Sequence, residues 1–263
     1  MKVVSSESII LKNQDFREKD RLVTFLARDK GRMTGVARGA RGLTARNVGS
    51  YEPFSRGMIY YTESRSSDLV TIRKCDPIPP YLMLAQSYEK YMVAGYFAEL
   101  VMLSRTPPEE TERLFLLLSD GLKGLAETEK PDMILQLRLD FEIGFLNCLG
   151  VLPDWTRCGE CGRVLLQRRK GGSPEVLIRS RLVFDPSLGI ILCPDCLASR
   201  SAGSMEISPG SLAFLVARQG GENRVRPTRD NQRELERMLR AHLIHQLETM
   251  PRSLALLPKP GEG

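Results

Sequence analysis

Through the first part of the chain, short apolar runs with a period near two are separated by turn-forming residues. Ser8-Ile9-Ile10-Leu11, Leu22-Val23-Thr24-Phe25-Leu26, Met33 to Ala37, Met58-Ile59-Tyr60-Tyr61 and Leu69-Val70-Thr71-Ile72 are rich in β-branched and aromatic side chains, which pack well on a pleated, half-buried surface. Asn13-Gln14-Asp15, Asp29-Lys30-Gly31, a glycine-rich stretch around 39–50 and Ser64 to Asp68 punctuate them. Short strands in this number predict a small closed β-barrel of the OB type, a shape often used to bind single strands. Two halves of a sandwich of the same size fit the pattern as well.

A break follows at Asp76-Pro77-Ile78-Pro79-Pro80, where the prolines deny backbone donors to ladder or helix. The period then changes to 3.6. Leu84, Tyr88, Tyr91, Met92, Gly95 and Ala98 mark one face of a first helix. Thr106-Pro107-Pro108-Glu109 predicts the start of a second, with Thr106 as N-cap and a core stripe of Leu114, Leu117, Leu118, Leu122 and Leu125. Between Asp132 and Leu149 so few positions are polar that the helix should be buried on most sides. A last helix is predicted over Asp230–Gln246, with Leu235, Met238, Leu239 and His242 in line. The expected class is α+β and multidomain, with an OB-type barrel over residues 1–78 and a mostly helical domain over 79–263. A zinc-ribbon-like module interrupts that helical domain at about 154–198. The tail from Met250 should be loosely held.

Charge sharpens this division. Residues 1–80 hold 15 Lys and Arg against 9 Asp and Glu, whereas residues 81–263 hold 23 of each. The whole surplus of +6 is therefore N-terminal, which points to a polyanion such as nucleic acid, or an anionic membrane surface, as the partner of the first segment. No apolar run reaches the roughly 18 residues of a membrane span, and Met1-Lys2-Val3-Val4-Ser5 lacks a signal-peptide core. The expectation is a cytoplasmic protein with no membrane partner.

The strongest chemical signal is Cys158-Gly159-Glu160-Cys161 followed by Cys193-Pro194-Asp195-Cys196. Each Cys-x-x-Cys turn converges two thiolates on one ion, and two such turns supply the four soft ligands of a closed tetrahedral zinc site. Disulfides are disfavoured in a reducing compartment. A single redox pair would not need its twin. Val164-Leu165-Leu166, Val176-Leu177-Ile178, Leu182-Val183-Phe184 and Ile190-Ile191-Leu192 read as hairpin pieces around the site. With four protein ligands the metal has no open position, so its role is structural. It would lower the formal charge from +6 to +4. Arg157, Arg163, Arg168, Arg169, Lys170, Arg179 and Arg181 lie nearby, either as a second phosphate-facing surface or as compensation for the anionic metal centre. Cys75 and Cys148 have no partner in the pattern and read as buried thiols.

Arg28, Lys30, Arg32, Arg38, Arg41 and Arg46 stand against the single acid Asp29, with Gly31, Gly35, Gly39 and Gly42 between them. Glycines let the backbone approach phosphates and arginines offer forked donors to them, so these six residues are the candidate DNA contacts; an ordinary solvated hairpin is the alternative. Phe16, Tyr51, Phe54, Tyr60 and Tyr61 are candidates to stack on bases, or else core. His242 and His245 lack a third ligand and read as core and solvated residues. No phosphate loop, Ser/His/Asp set, catalytic Cys with a base, or nuclease-type carboxylate cluster is present, and no enzyme is expected.

Together these features resemble the RecO family of recombination mediators. The matching pieces are Ile9-Ile10-Leu11, Phe16-Arg17-Glu18-Lys19-Asp20-Arg21-Leu22-Val23, Asp29-Lys30-Gly31-Arg32, Ala37-Arg38-Gly39-Ala40-Arg41, Tyr51-Glu52-Pro53-Phe54, Leu146 to Leu152, and the two cysteine pairs. The resemblance implies an N-terminal OB-fold, a helical domain carrying the zinc module, and a non-enzymatic role. It further implies binding to single- and double-stranded DNA and strand annealing. The implied partners are RecR, the C-terminal tail of single-stranded-DNA-binding protein and, indirectly, RecA. DNA contact would fall on Lys30, Arg32, Arg38 and Arg41. The competing functions are a zinc-ribbon protein that recruits transcription or translation machinery and a nucleic-acid-modifying enzyme whose catalytic residues lack a motif.

Overall fold

The computed structural model describes residues 2–41, 50–64, 67–78, 82–167, 175–178, 181–222 and 225–257. Five strands, β1 (Val3–Phe16), β2 (Asp20–Ala27), β3 (Gly31–Ala37), β4 (Arg56–Thr62) and β5 (Val70–Ile78), close into a barrel in the order β1-β2-β3-β5-β4. The long β1 serves two neighbours, pairing through Val3–Ile9 with β4 and through Ser8–Phe16 with β2. Alternation places Ile10, Val23, Phe25, Ala37, Ile59, Tyr61, Val70 and Ile72 inside. This is the closed OB-type architecture rather than a pair of sandwich halves.

Closure rests on a parallel contact that no local pattern announces, in which Gly35 faces Val70 and Ala37 faces Ile72. A Cβ on Gly35 would lie 2.7 Å from Val70 Cγ2, so the two strands meet only because that position has no side chain. β5 runs on through Pro77, which pairs with Gly57, where the sequence predicted a break. Beyond Ile72 the strand has no β3 neighbour, and proline is tolerated along such an edge because no donor is needed there.

By compactness the chain divides into two units. One is the first 130 residues together with the segment that begins at Pro251; the other is Pro131–Met250. In the first, the barrel is followed by α1 (Tyr88–Leu103) and α2 (Thr111–Glu127). Helix α1 buries Val93, Ala94, Tyr96, Phe97, Leu100 and Val101, whereas Tyr88 on the predicted face is 72% exposed. Its apolar residues surround the helix almost evenly, so periodicity could not choose a side. A 3-10 turn, Pro108–Glu110, precedes α2, and Thr106 instead shares a 3.0 Å hydrogen bond with the Ser104 hydroxyl. The predicted leucine stripe is buried apart from Leu117, which is half-exposed. Carboxylate oxygens of Glu99 accept from the backbone N–H groups of Arg252 and Ser253 at 2.9 and 2.8 Å, which ties the C-terminal segment to α1.

The second unit holds α3 (Pro131–Cys148), the short hairpin β6 (Leu166–Gln167) and β7 (Glu175–Val176), then β8 (Leu182–Asp185), β9 (Ile190–Leu192) and β10 (Met205–Ile207), and the helices α4 (Pro209–Gln219) and α5 (Arg229–Leu247). The sequence reading passed over α4, although Ser208 caps it and Pro209 opens it. β8 forms the centre of a sheet ordered β10-β8-β9. His242 on α5 is core, its Nδ1 lying 2.9 Å from the Pro186 carbonyl and its ring edge-on to Phe184. His245 is exposed.

Candidate nucleic-acid interface and metal centre

The basic run between 28 and 41 is not one loop. Arg28 and Lys30 sit on the β2–β3 turn, Arg32 lies on β3, and Arg38 and Arg41 belong to the turn beyond it. Arg32, Thr34, Val36 and Arg38 share the outward phase of a strand whose side chains alternate, so Arg32 and Arg38 are roughly 20 Å apart. Arg46 lies outside the described residues.

The two ends differ electrostatically. Arg28 donates to Glu112 Oε1 through Nε at 3.0 Å and Nη2 at 2.7 Å, and its Nη1 reaches Glu7 Oε2 at 3.3 Å. Glu7 also pairs with Arg56. Beside them a cleft of about 490 Å³ is lined by Glu7, Asp29, Glu109 and Glu112 around Arg28. That guanidinium is engaged in holding the barrel to α2, among acids that repel a polyanion. Lys30 and Arg32 are exposed and make no ion pair among the described residues, but they stand at this acidic end.

At the other end cations from distant segments meet. The backbone N–H of Arg41 donates to the Lys19 carbonyl at 3.1 Å, and its Nη1 donates to the Arg17 carbonyl at 3.3 Å. The turn of Arg38 and Arg41 therefore stacks on the β1–β2 hairpin tip, which carries Arg17 and Lys19. Ala37 faces Ile72 in the last pair of the parallel ladder, and Arg38 and Arg73 are the residues that follow each of them. Arg73 is exposed at a register shift between β4 and β5, a bulge of the kind that re-aims a side chain. Of this group Arg41 pairs with Asp15 at 3.2 Å. Arg17, Lys19, Arg38 and Arg73 make no ion pair among the described residues. The sequence reading missed Arg17, Lys19 and Arg73 because only barrel closure gathers them.

The aromatic candidates separate as clearly. Tyr51, Phe54 and Tyr61 are buried, and burial followed by the nearby Cys75 pushes the Tyr51 hydroxyl up to about 12. Cys75 is raised to about 11 by burial and then by Asp76, an inert core thiol. Phe16 and Tyr60 remain partly accessible.

In the second unit the four Sγ atoms of Cys158, Cys161, Cys193 and Cys196 lie within 4.8 Å of one another. The Cys161–Cys193 separation is 3.7 Å. Thiolates 2.3 Å from a tetrahedral zinc ion stand about 3.8 Å apart, whereas a disulfide requires about 2.05 Å. Local folding sets this spacing: Gly162 N–H donates to the Cys158 carbonyl, Gly159 N–H to the Ile191 carbonyl, and Cys196 N–H to the Cys193 carbonyl. A Cβ at Gly159 would meet Ile190 Cβ at 2.4 Å, so only glycine lets the first knuckle lie against β9.

Burial opposes the Cys158 thiolate, but N–H groups of Cys161, Cys193 and Glu160 outweigh it and hold its pKa down to about 6. Burial and then the neighbouring thiols push Cys196 up to about 12. The cluster thus favours one thiolate and resists four until a cation offsets their repulsion. This donor set can hold a metal ion with no position left for water, so the ion would stabilise the module rather than react. Around it, Arg163 pairs with Asp195 at 2.6 Å and Arg181 pairs with Glu206, so these two arginines face acids.

Residues 1–81 match the family described as recombination protein O N terminal, and residues 85–255 match recombination protein O C terminal. The chain belongs to the RecO family. Membership places it among proteins of DNA repair and recombination. The DNA repair protein RecO of Roseiflexus sp. (strain RS-1) is 34% identical over 261 residues, which is 97% of this chain and 85% of that protein. That of Pelotomaculum thermopropionicum is 29% identical over 270 residues, 100% of this chain and 96% of its own. The N-terminal RecO match ends just past β5, and the C-terminal match takes in all five helices and the cysteine cluster. Among the described residues no helix is long and apolar enough to cross a membrane.

Proposed function

We propose that this chain is a non-enzymatic DNA-binding mediator of repair and recombination, with a DNA-binding barrel over residues 1–78 and a helical domain over 79–263. It binds single- and double-stranded DNA, anneals complementary strands, and helps load RecA together with RecR and the C-terminal tail of single-stranded-DNA-binding protein. Its place of action is the cytoplasm, on the nucleoid when bound. The observation that supports this reading best is a RecO barrel whose outer face, at the Arg38 end, gathers Arg17, Lys19, Arg38 and Arg73, which make no ion pair among the described residues.

The mechanism needs no ATP. Lys30, Arg32, Arg38 and Arg41 neutralise phosphates on strands brought to the barrel, which lowers the repulsion between them, and base pairing provides the driving force. Arg38 and Arg41 contribute most, because Lys30 and Arg32 lie toward the acid-lined cleft. Cys158, Cys161, Cys193 and Cys196 hold one structural zinc ion that orders the module and performs no chemistry on the nucleic acid.

A fluorescence annealing assay with complementary oligonucleotides, run with and without ATP and followed by a denaturing gel, tests the reading. ATP-independent annealing with intact strands is expected. Replacing Lys30, Arg32, Arg38 and Arg41 by Ala should flatten the log–log salt slope by up to about 3, at about 0.7 per phosphate contact on single strands. Failure of the unaltered protein to bind oligonucleotides at low salt would overturn it.

A further inference from the structure

Following the hydrogen-bonded rows of the barrel across its strands, rather than along them, brings into one line residues that the sequence scatters over 58 positions from Phe16 to Lys74. Phe16 faces Asp20. Arg21 faces Ala37 in the last β2–β3 pair, Asp20 and Arg38 are the residues just beyond it, and Gly39 N–H donates to Asp20 Oδ1 at 3.0 Å. Arg38 and Arg73 each follow the last pair of the parallel ladder, Ala37 and Ile72; Arg73 bulges opposite Tyr60 and Tyr61, and Tyr60 faces Lys74. The line Phe16–Asp20–Arg38–Arg73–Tyr60 runs over β1, β2, the turn that follows β3, β5 and β4 in four steps, about 19 Å at roughly 4.8 Å per step.

Its composition is ordered. The partly accessible rings stand at its two ends and the exposed arginines between them. Each ring also has a cation over one face: Arg17 Cζ is 5.2 Å from the Phe16 centroid, and Lys74 Nζ is 5.3 Å from that of Tyr60. The acid on the line, Asp20, accepts the Gly39 N–H, and Asp76 pairs with Lys74 at 2.7 Å. Arg41 and Lys19 flank the middle through the turn contact.

We propose that a single strand lies across the barrel along this line, with phosphates on Arg38 and Arg73 and unpaired bases stacked on Phe16 and Tyr60. This rests on the DNA-binding reading above and adds to it Arg73, Phe16 and Tyr60 as contacts. It also sets the substrate of this face. Stacking needs a base with a free π-face, which a single strand offers and an intact duplex withholds. Duplex DNA therefore meets only the cations here and gains nothing from the rings.

The test is fluorescence anisotropy on the full chain with three probes of equal length: a labelled oligo-dT, its abasic counterpart, and a duplex. Arg73→Ala should weaken all three and lower the salt slope on oligo-dT by about 0.7, as Arg38→Ala does. Phe16→Leu and Tyr60→Leu should each weaken oligo-dT binding by roughly 5- to 150-fold, leave the abasic and duplex probes unmoved, and leave the slope unchanged. Tyr60→Phe keeps the ring and should keep the affinity. If a leucine variant fails to fold, Arg73→Ala against Arg73→Lys decides, the lysine restoring the slope. Loss of binding in Arg38→Ala with wild-type behaviour in Arg73→Ala overturns this line while sparing the barrel reading. No binding by the unaltered chain sinks the barrel reading itself.

Discussion

Removing the proposed zinc ion would be the sharpest perturbation of the second unit, because the protein carries its own optical reporter there. Trp155 is the single tryptophan, fully buried, and its indole N–H donates to the Gly189 carbonyl at 3.1 Å. Little regular structure holds its surroundings: β6 pairs with β7 over two residues and β8 with β9 over three. Ladders this short are marginal in water without further support. A structural zinc supplies on the order of 10 kcal/mol of folding free energy in small metallodomains, about seven decades in the local opening equilibrium. Among the described residues the α-helices α1 to α5 lie outside 154–198. Exhaustive chelation at neutral pH should therefore shift Trp155 emission to the red and expose it to quenchers, while the helical far-ultraviolet signal barely changes. Zinc should restore the emission. An emission spectrum that stays fixed once metal analysis shows complete removal would refute the argument, and so would simultaneous loss of the helical signal.

Other perturbations test the surroundings of both sites. Burial raises the Asp140 carboxyl from 3.8 to about 6 against the opposing charge of Arg218, so its protonated form favours folding. That contribution is present below about pH 4 and lost as pH rises through 6. With the Asp140 side chain still 32% exposed, the change is nearer 1 than 3 kcal/mol. The urea midpoints of wild type and Asp140→Asn should converge or diverge across this window, and a pH-independent gap would contradict the assignment. Gly159→Ala, whose Cβ would meet Ile190 Cβ at 2.4 Å, should cost about 1–3 kcal/mol. It should lower zinc affinity at least tenfold by competition with a chromogenic chelator, without altering DNA binding. His242→Ala removes a ring 1% exposed and should cost about 2–4 kcal/mol in chemical denaturation. Arg28→Ala breaks a solvent-screened contact that adds little to stability and should leave the salt slope of DNA binding where it was.

Much of this organisation was legible before any coordinates, and the exceptions share a cause. Period-two runs marked the five barrel strands, and the doubled Cys-x-x-Cys spacing marked the four-cysteine cluster, because both signals are local. Helix α5 was equally plain, its apolar stripe of Leu235, Met238 and Leu239 ending on His242. Helix α1 hid its buried face because apolar side chains ring it, so neighbours rather than periodicity chose Val93, Phe97 and Leu100 for the core. The start of α2 moved from Thr106 to a 3-10 turn because two successive prolines leave the cap without backbone donors to satisfy.

The hardest thing to read was which charges act together. In sequence Arg28, Lys30, Arg32, Arg38 and Arg41 form one cationic run, but β3 separates them into two populations. Glu112, 84 residues from Arg28, draws that guanidinium into the barrel–helix contact. Ile72, facing Ala37 in the last pair of the parallel ladder, brings Arg73 and Arg38 to the same end of the barrel from opposite ends of its sequence. Each shift comes from pairing between remote segments, which a one-dimensional charge count cannot register. Net charge thus points only to the first unit as a whole, whereas the strand register divides its cations between two ends. The Arg38 end has cations in excess of its acids and the Arg28 end does not, so a substitution at Arg73 tests the location more sharply than one at Arg28, although only Arg28 stood in the original run.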